Sequence, residues 1–111
     1  IALTTDTSVI TAISNDFGFE FVFSRQLEGL ARPGDVLIAL TTSGDSKSVI
    51  NAVDKAQELG VTSVILTSTR YSGNNGDFVL KVASEKTELI QHAHTAIGHI
   101  LCELIESSSL A

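Results

Sequence analysis

The sequence predicts an α/β fold, a three-layer sandwich with helices on both faces of a mainly parallel sheet. Short apolar runs alternate along the chain with segments of helical periodicity, which is the pattern of layered α/β domains. The apolar run at 36–40 lacks the alternation of a half-exposed strand and is typical of a strand buried on both faces. The length of 111 residues fits one domain.

The first third of the chain is predicted to hold one strand and two helices. Residues 1–5 suit a short strand, after which Asp6 offers an N-cap to a helix over 7–14. Turn-forming residues at 15–18 end this helix. Apolar residues at helical spacing then predict a second helix over 20–31.

The rest of the chain is predicted to hold three strands and two helices. The strands are continuous apolar runs, and each helix carries its apolar residues on one face. Gly60 is suited to end the first of these helices. The elements are strands at 36–40, 61–67 and 78–83 and helices over 46–59 and 86–106. The predicted core face of the last helix comprises Ile90, Ala93, Ile97, Leu101, Leu104 and Ile105.

Composition narrows the functional classes. With 13 acidic and 7 basic residues the net charge is −6, so the chain lacks the excess of basic residues expected of a protein that binds nucleic acid directly. The apolar runs are too short to span a membrane, and nothing at the start reads as a signal peptide. A single cysteine, Cys102, favours a reduced, cytoplasmic location. Its apolar neighbours favour a small buried residue over a reactive thiol.

Residues 41–46, here named the hydroxyl loop, join a predicted strand to a predicted helix. In parallel sheets, ligands bind beyond the carboxyl ends of strands, and a helix N-terminus presents free N–H groups to anions. Gly44 allows close backbone approach, while Asp45 or Ser46 could instead simply cap the helix. The loop matches neither a Walker loop nor a dinucleotide fingerprint. Its candidate phosphate-binding hydroxyls are Thr41, Thr42, Ser43 and Ser46.

Two further polar groups are candidates for a site. Gln91 and His99 share one side of the last helix, so that side could hold a metal or move a proton. The alternative is a solvated polar face with one histidine at an interface. The pair Asn15 and Asp16 could contact a sugar hydroxyl, although it is also ordinary turn chemistry.

Taken together, these stretches resemble the phosphoheptose (sedoheptulose-7-phosphate) isomerases, which have the sugar isomerase (SIS) fold of flavodoxin-like or Rossmann-like topology. The similarity follows the order of the family's motifs along nearly the whole chain. The matching stretches are 2–6, 14–19, 22–26, 34–38, 42–46, 90–91 and 99–101.

The resemblance implies an aldose–ketose isomerase. The expected reaction converts sedoheptulose 7-phosphate to D-glycero-D-manno-heptose 7-phosphate through an enediol, the first step toward ADP-heptose for the lipopolysaccharide core. It implies a cytoplasmic homotetramer in which the hydroxyl loop grips the sugar phosphate and Asn15 and Asp16 touch substrate. Gln91 is implied as a ligand of substrate and zinc, and His99 as a zinc ligand and the catalytic proton carrier.

The resemblance also implies that residues 1–111 are the C-terminal portion of a single SIS domain, incomplete at the N-terminus. Family members begin with helices, a strand, a Gly-Asn-Gly-Gly-Ser loop and a helix that carries a histidine and a glutamate, the remaining zinc ligands. The isolated chain is therefore expected to be inactive. Asp45 stands where the family often has Asn, and Glu88-Leu89 where an acidic-Arg pair is common.

Two alternatives stay open. Some SIS proteins are non-catalytic phosphosugar-binding modules, such as those that associate with the bacterial replication initiator, and these can lack a histidine at the position of His99. Its presence favours the enzyme. A flavodoxin-like or nucleotide-binding domain is disfavoured because the glycine fingerprint is missing.

Overall fold

Three parallel strands form one sheet in the order β1-β2-β3. The computed structural model describes residues 1–110. It confirms the predicted α/β class, in which parallel strands need helical crossovers. The strands are β1 (Val36–Leu40), β2 (Thr62–Ser68) and β3 (Phe78–Val82). The helices are α1 (Thr7–Asp16), α2 (Ser24–Leu30), α3 (Lys47–Glu58) and α4 (Thr87–Ser109), with a 3₁₀ turn at Phe19–Phe21.

Helix α3 covers one face of the sheet. Ala39 of β1 pairs with Ile65 of β2, and both pack against Val53 of α3 in one buried cluster. A second buried cluster joins α2 to α3 through Leu27 and Ala56. The amphipathic pattern of residues 47–58 thus places its apolar stripe between the sheet and α2.

Helix α4 packs against β2 at its first turns. Ile90 is 0% exposed, and the His94 Nε2 lies 3.0 Å from the Thr67 carbonyl oxygen. Leu66 points away from the α3 face, because alternate strand residues face opposite sides, yet it is only 2% exposed. The centre of the sheet therefore lies between α3 and α4.

Two predictions about strands are wrong. Residues 1–5 form a turn closed by the Thr5 hydroxyl, which donates to the Ala2 carbonyl at 3.2 Å. Strand β1 is not buried on both faces, since Val36, Ile38 and Leu40 are 59%, 47% and 56% exposed. Among residues 1–110, β1 lies at the edge of the sheet and α3 covers only one of its faces. An apolar groove of about 650 Å³ separates residues 1–4 from β1.

The end of α4 also departs from prediction. Leu104 and Ile105, predicted as core, are 58% and 64% exposed, and Cys102, predicted as buried, is exposed. The reason is length: a helix of 23 residues extends about 35 Å, whereas the seven residues of β2 extend about 23 Å. The last turns pass beyond the sheet. No helix within residues 1–110 combines the length and apolarity needed to cross a membrane.

Candidate functional site

The hydroxyl loop lies at the carboxyl end of β1 and leads directly into α3. The Thr41 N–H donates to the Leu66 carbonyl at 3.0 Å, which extends the β1–β2 pairing by one residue into the loop. The buried Thr41 hydroxyl accepts from the Gly44 N–H at 3.1 Å. Gly44 has φ +80, a conformation that other residues rarely adopt. The strand end therefore fixes one side of a tight turn.

The N-terminus of α3 is open toward this turn. Ser46 is the N-cap residue of α3, as predicted, but within residues 1–110 its side chain makes no capping hydrogen bond to the helix. Asp45 is exposed, and its own N–H donates to the Ser43 hydroxyl at 3.2 Å. The first N–H groups of a helix have no partner within the helix, and the positive end of its dipole lies there. Together with the loop hydroxyls, they form a donor cluster suited to a phosphate.

A neighbouring loop supports this turn. The Ser68 hydroxyl, at the end of β2, donates to the Thr42 carbonyl at 2.7 Å. The Tyr71 ring packs directly against Gly44 and is 5% exposed. Sequence reasoning missed both residues. The available signal was the chain's one tyrosine within an otherwise polar loop.

The far end of that neighbouring loop is tied to the start of β2. The Asp77 carboxylate accepts from the Ser63 N–H at 2.8 Å and from the Ser63 hydroxyl at 3.0 Å. These hydrogen bonds, from the Ser63 backbone first and its hydroxyl second, lower the pKa of the Asp77 carboxyl. Ser63 is 1% exposed, so this contact anchors the loop to the buried sheet.

The Asn15–Asp16 pair lies at the C-terminal end of α1. The Asn15 amide donates to the Asp16 carboxylate at 2.9 Å, and both residues are exposed. The 3₁₀ turn that follows is tied to α3, because the Asn51 amide donates to the Glu20 carbonyl at 2.9 Å. The chain thus carries this pair to the α3 side of the sheet, where its role in binding stays a prediction.

The polar residues of α4 fall into two groups: one histidine is buried where the helix packs on β2, and the others are exposed. His94 is the histidine at the interface, whereas His92, Gln91 and His99 are exposed. Gln91 and His99 lie eight positions apart, which is about 12 Å along the helix axis. In residues 1–110, no hydrogen bond joins either residue to the hydroxyl loop.

Helix α4 carries two side chains that could act as zinc ligands, Gln91 and His99. An amide oxygen and an imidazole nitrogen suit zinc, but the ion takes four ligands and this face offers two. Across residues 1–110, no three His, Cys, Asp or Glu side chains lie close enough together to hold a metal ion. Gln91 and His99 could therefore supply at most two of the four ligands that zinc needs.

The chain is similar to one domain family and to several proteins that share one name. Residues 1–68 match the SIS domain. Phosphoheptose isomerases of Akkermansia muciniphila and Aquifex aeolicus are each 49% identical, over 96% of this chain and 57% and 56% of theirs. The structure of phosphoheptose isomerase GmhA from Neisseria gonorrhoeae matches with TM-score 0.90 and 41% identity, over 96% of this chain and 61% of that one. A phosphoheptose isomerase from Francisella tularensis also gives TM-score 0.90, with 34% identity and coverage of 96% and 59%. The chain thus spans a little over half the length of these relatives.

Proposed function

Because the chain belongs to the SIS domain family, we propose that it provides the phosphate-binding and proton-transferring part of a phosphoheptose isomerase. The reaction converts sedoheptulose 7-phosphate to D-glycero-D-manno-heptose 7-phosphate through an enediol, and supplies precursors of the lipopolysaccharide core in the cytoplasm. Support comes from relatives named phosphoheptose isomerase that are 49% identical to this chain over 96% of its length.

The observation that carries the proposal is the open N-terminus of α3 facing the hydroxyl loop. The phosphate would accept hydrogen bonds from the N–H groups of the first turn and from the loop hydroxyls. Anchoring the phosphate lets remote binding energy position the reacting carbons at the other end of the sugar. The hydroxyls in this role are Thr41, Thr42, Ser43 and Ser46.

Isomerisation moves a proton between neighbouring carbons of the sugar. His99 would remove and return this proton, because an imidazole can act as both a base and an acid. The side chains of Asn15, Asp16 and Gln91 would bind and orient the sugar hydroxyls. These residues are polar and exposed, as a substrate-facing group must be before substrate binds.

A metal ion has a defined place in this proposal. Gln91 and His99 would supply two zinc ligands, with the others coming from outside residues 1–110. Zinc held there would supply Lewis-acid stabilisation of the substrate's carbonyl oxygen.

The test is an isomerase assay on a chimera. Residues 1–111 replace the matching stretch of the Akkermansia muciniphila enzyme, and turnover of sedoheptulose 7-phosphate is compared between His99→Ala and the matched control His92→Ala. We expect His99→Ala to lower kcat by at least about 100-fold, the usual contribution of a general acid or base, and His92→Ala to leave it near the parent value. Equal turnover in the two variants would contradict the role of His99. Saturable sugar-phosphate binding by a chimera without turnover would identify a binding module instead.

We also propose that the protein self-associates as a homotetramer. Support comes from large apolar side chains that stay exposed on the open sheet face and on α4. Their exposed fractions are 61% for Phe78, 47% for Ile38, 55% for Ile100 and 64% for Ile105. Apolar surface of this extent commonly marks an interface between proteins. Sedimentation equilibrium of the chimera tests this: a mass of four chains is expected, and a monomer would refute it.

A further inference from the structure

Tyr71 lies in a polar loop, yet its ring is buried against the turn of the hydroxyl loop. We propose that Tyr71 is a positioning residue, which holds the hydroxyl loop in the conformation that binds phosphate. The proposal rests on the phosphate-binding function proposed above. It concerns a residue that lies outside the hydroxyl loop and supplies no donor to the phosphate.

The contact between Tyr71 and Gly44 is very close. A Cβ atom added at Gly44 would lie 2.7 Å from the Tyr71 Cδ2 atom and 3.0 Å from its Cα. Gly44 also has φ +80, and its N–H is held by the Thr41 hydroxyl. The ring therefore packs against the tightest point of the turn, just before α3 begins, and supports that turn from one side.

The opposite edge of the ring is anchored to α3. The Tyr71 hydroxyl donates to the Asn75 Oδ1 at 2.5 Å, and the Asn75 Nδ2 donates to the Asp54 carboxylate at 2.6 Å. Asp54 lies in the middle of α3. The same residue that presses on the turn is thus linked to the helix whose N-terminus completes the phosphate site.

The backbone of Tyr71 is fixed as well. Its N–H donates to the Ser68 carbonyl at 3.1 Å, and its carbonyl accepts from the Lys81 ammonium at 2.8 Å. Ser68 in turn holds the Thr42 carbonyl. The backbone of Tyr71 is therefore attached to β2 and β3, and its ring connects these strands to the turn at Gly44.

Phosphate binding requires the loop hydroxyls and the first N–H groups of α3 to converge on one point. A turn that is already held in place loses less conformational entropy when the anion binds. Removal of the ring leaves glycine, the most flexible residue, unsupported at the centre of the turn. The cost therefore falls on affinity for phosphate rather than on the chemical step.

The experiment is an NMR titration of the chain with inorganic phosphate and with sedoheptulose 7-phosphate. Tyr71→Ala should raise Kd about tenfold, and Tyr71→Phe, which keeps the ring, only about threefold or less. Asn75→Ala, which removes the anchor to α3, should raise Kd about threefold, whereas the exposed neighbour Asn74→Ala should leave it unchanged. In the chimera, Tyr71→Ala should raise KM and leave kcat within about twofold.

The outcomes separate the two proposals. If the parent chain binds neither ligand, the proposed function fails and the role of Tyr71 fails with it. If the parent binds and Tyr71→Ala binds equally well while melting at a lower temperature, the ring is only structural and this inference alone is overturned. If Tyr71→Ala does not fold, the phosphate affinities of Asn75→Ala and Asn74→Ala are compared instead. Equal Kd values for these two variants refute the proposal.

Discussion

Replacement of His94 by alanine tests how α4 is held against the sheet. The ring is 4% exposed, and its Nε2 donates to the Thr67 carbonyl at 3.0 Å. A buried group left without its partner costs about 1 to 3 kcal/mol, and the void left by a truncated ring adds a further cavity term. We expect His94→Ala to lower the free energy of unfolding by about 2 to 4 kcal/mol and the melting temperature by about 10 °C.

The assay is equilibrium unfolding in urea, followed by circular dichroism. His92→Ala is the matched control, because His92 is exposed on the same helix and its loss should change stability by less than about 0.5 kcal/mol. His94→Gln keeps an N–H donor and should recover part of the loss. If His94→Ala is as stable as His92→Ala, α4 is not docked through this contact and the reasoning about its polar face is refuted.

Three further predictions concern single contacts. Asp6→Ala removes the acceptor for the Val9 N–H at 3.1 Å and should cost about 1 kcal/mol, measured by urea unfolding. Ile65→Ala, at 2% exposure, should cost about 2 to 5 kcal/mol, whereas the exposed Leu30→Ala should cost little. The pKa of Asp77 is lowered in the fold, so its stabilisation is present above the unfolded pKa near 3.8 and is lost as pH falls through the lower folded value. Asp77→Asn should therefore be less stable than the parent at pH 6, and the difference should vanish in strong acid.

Each of these has a clear contrary result. An Asp6→Ala variant as stable as the parent would mean that α1 does not depend on this cap. Equal losses of stability in Ile65→Ala and Leu30→Ala would contradict the packing of β2 against α3. A stability difference between Asp77→Asn and the parent that does not change between pH 6 and pH 2 would show that the charge of Asp77 is not what Ser63 binds.

Hydrophobic periodicity correctly predicted the helix and the strand whose own apolar patterns are unambiguous. Residues 47–58 and 62–68 have apolar patterns that admit one arrangement, and both elements form within a residue or two of the prediction. The prediction of a strand at residues 1–5 was wrong because a strand needs a partner strand to pair with, which an apolar pattern alone does not reveal. The prediction that β1 is buried on both faces was wrong for a related reason, since an apolar run does not show what covers each face.

The candidate site divides in the same way. The hydroxyl loop is a local motif, and its position between β1 and α3 was predicted from its own residues. The resemblance to phosphoheptose isomerases is confirmed by the relatives. The contact of Tyr71 with Gly44 joins residues far apart in the chain and could not be predicted from spacing. His94 could have been placed, because it lies four residues after Ile90 and therefore on the same core-facing side.

In the proposed site, the hydroxyl loop and the first turn of α3 bind the phosphate of a sugar phosphate. The most direct measurement is an amide NMR titration of the chain with sedoheptulose 7-phosphate, with unphosphorylated sedoheptulose as the matched control. We expect saturable shifts concentrated in residues 41–48 with the phosphorylated sugar and none there with the control. Equal shifts with both sugars, or saturable shifts only outside this segment, would contradict it.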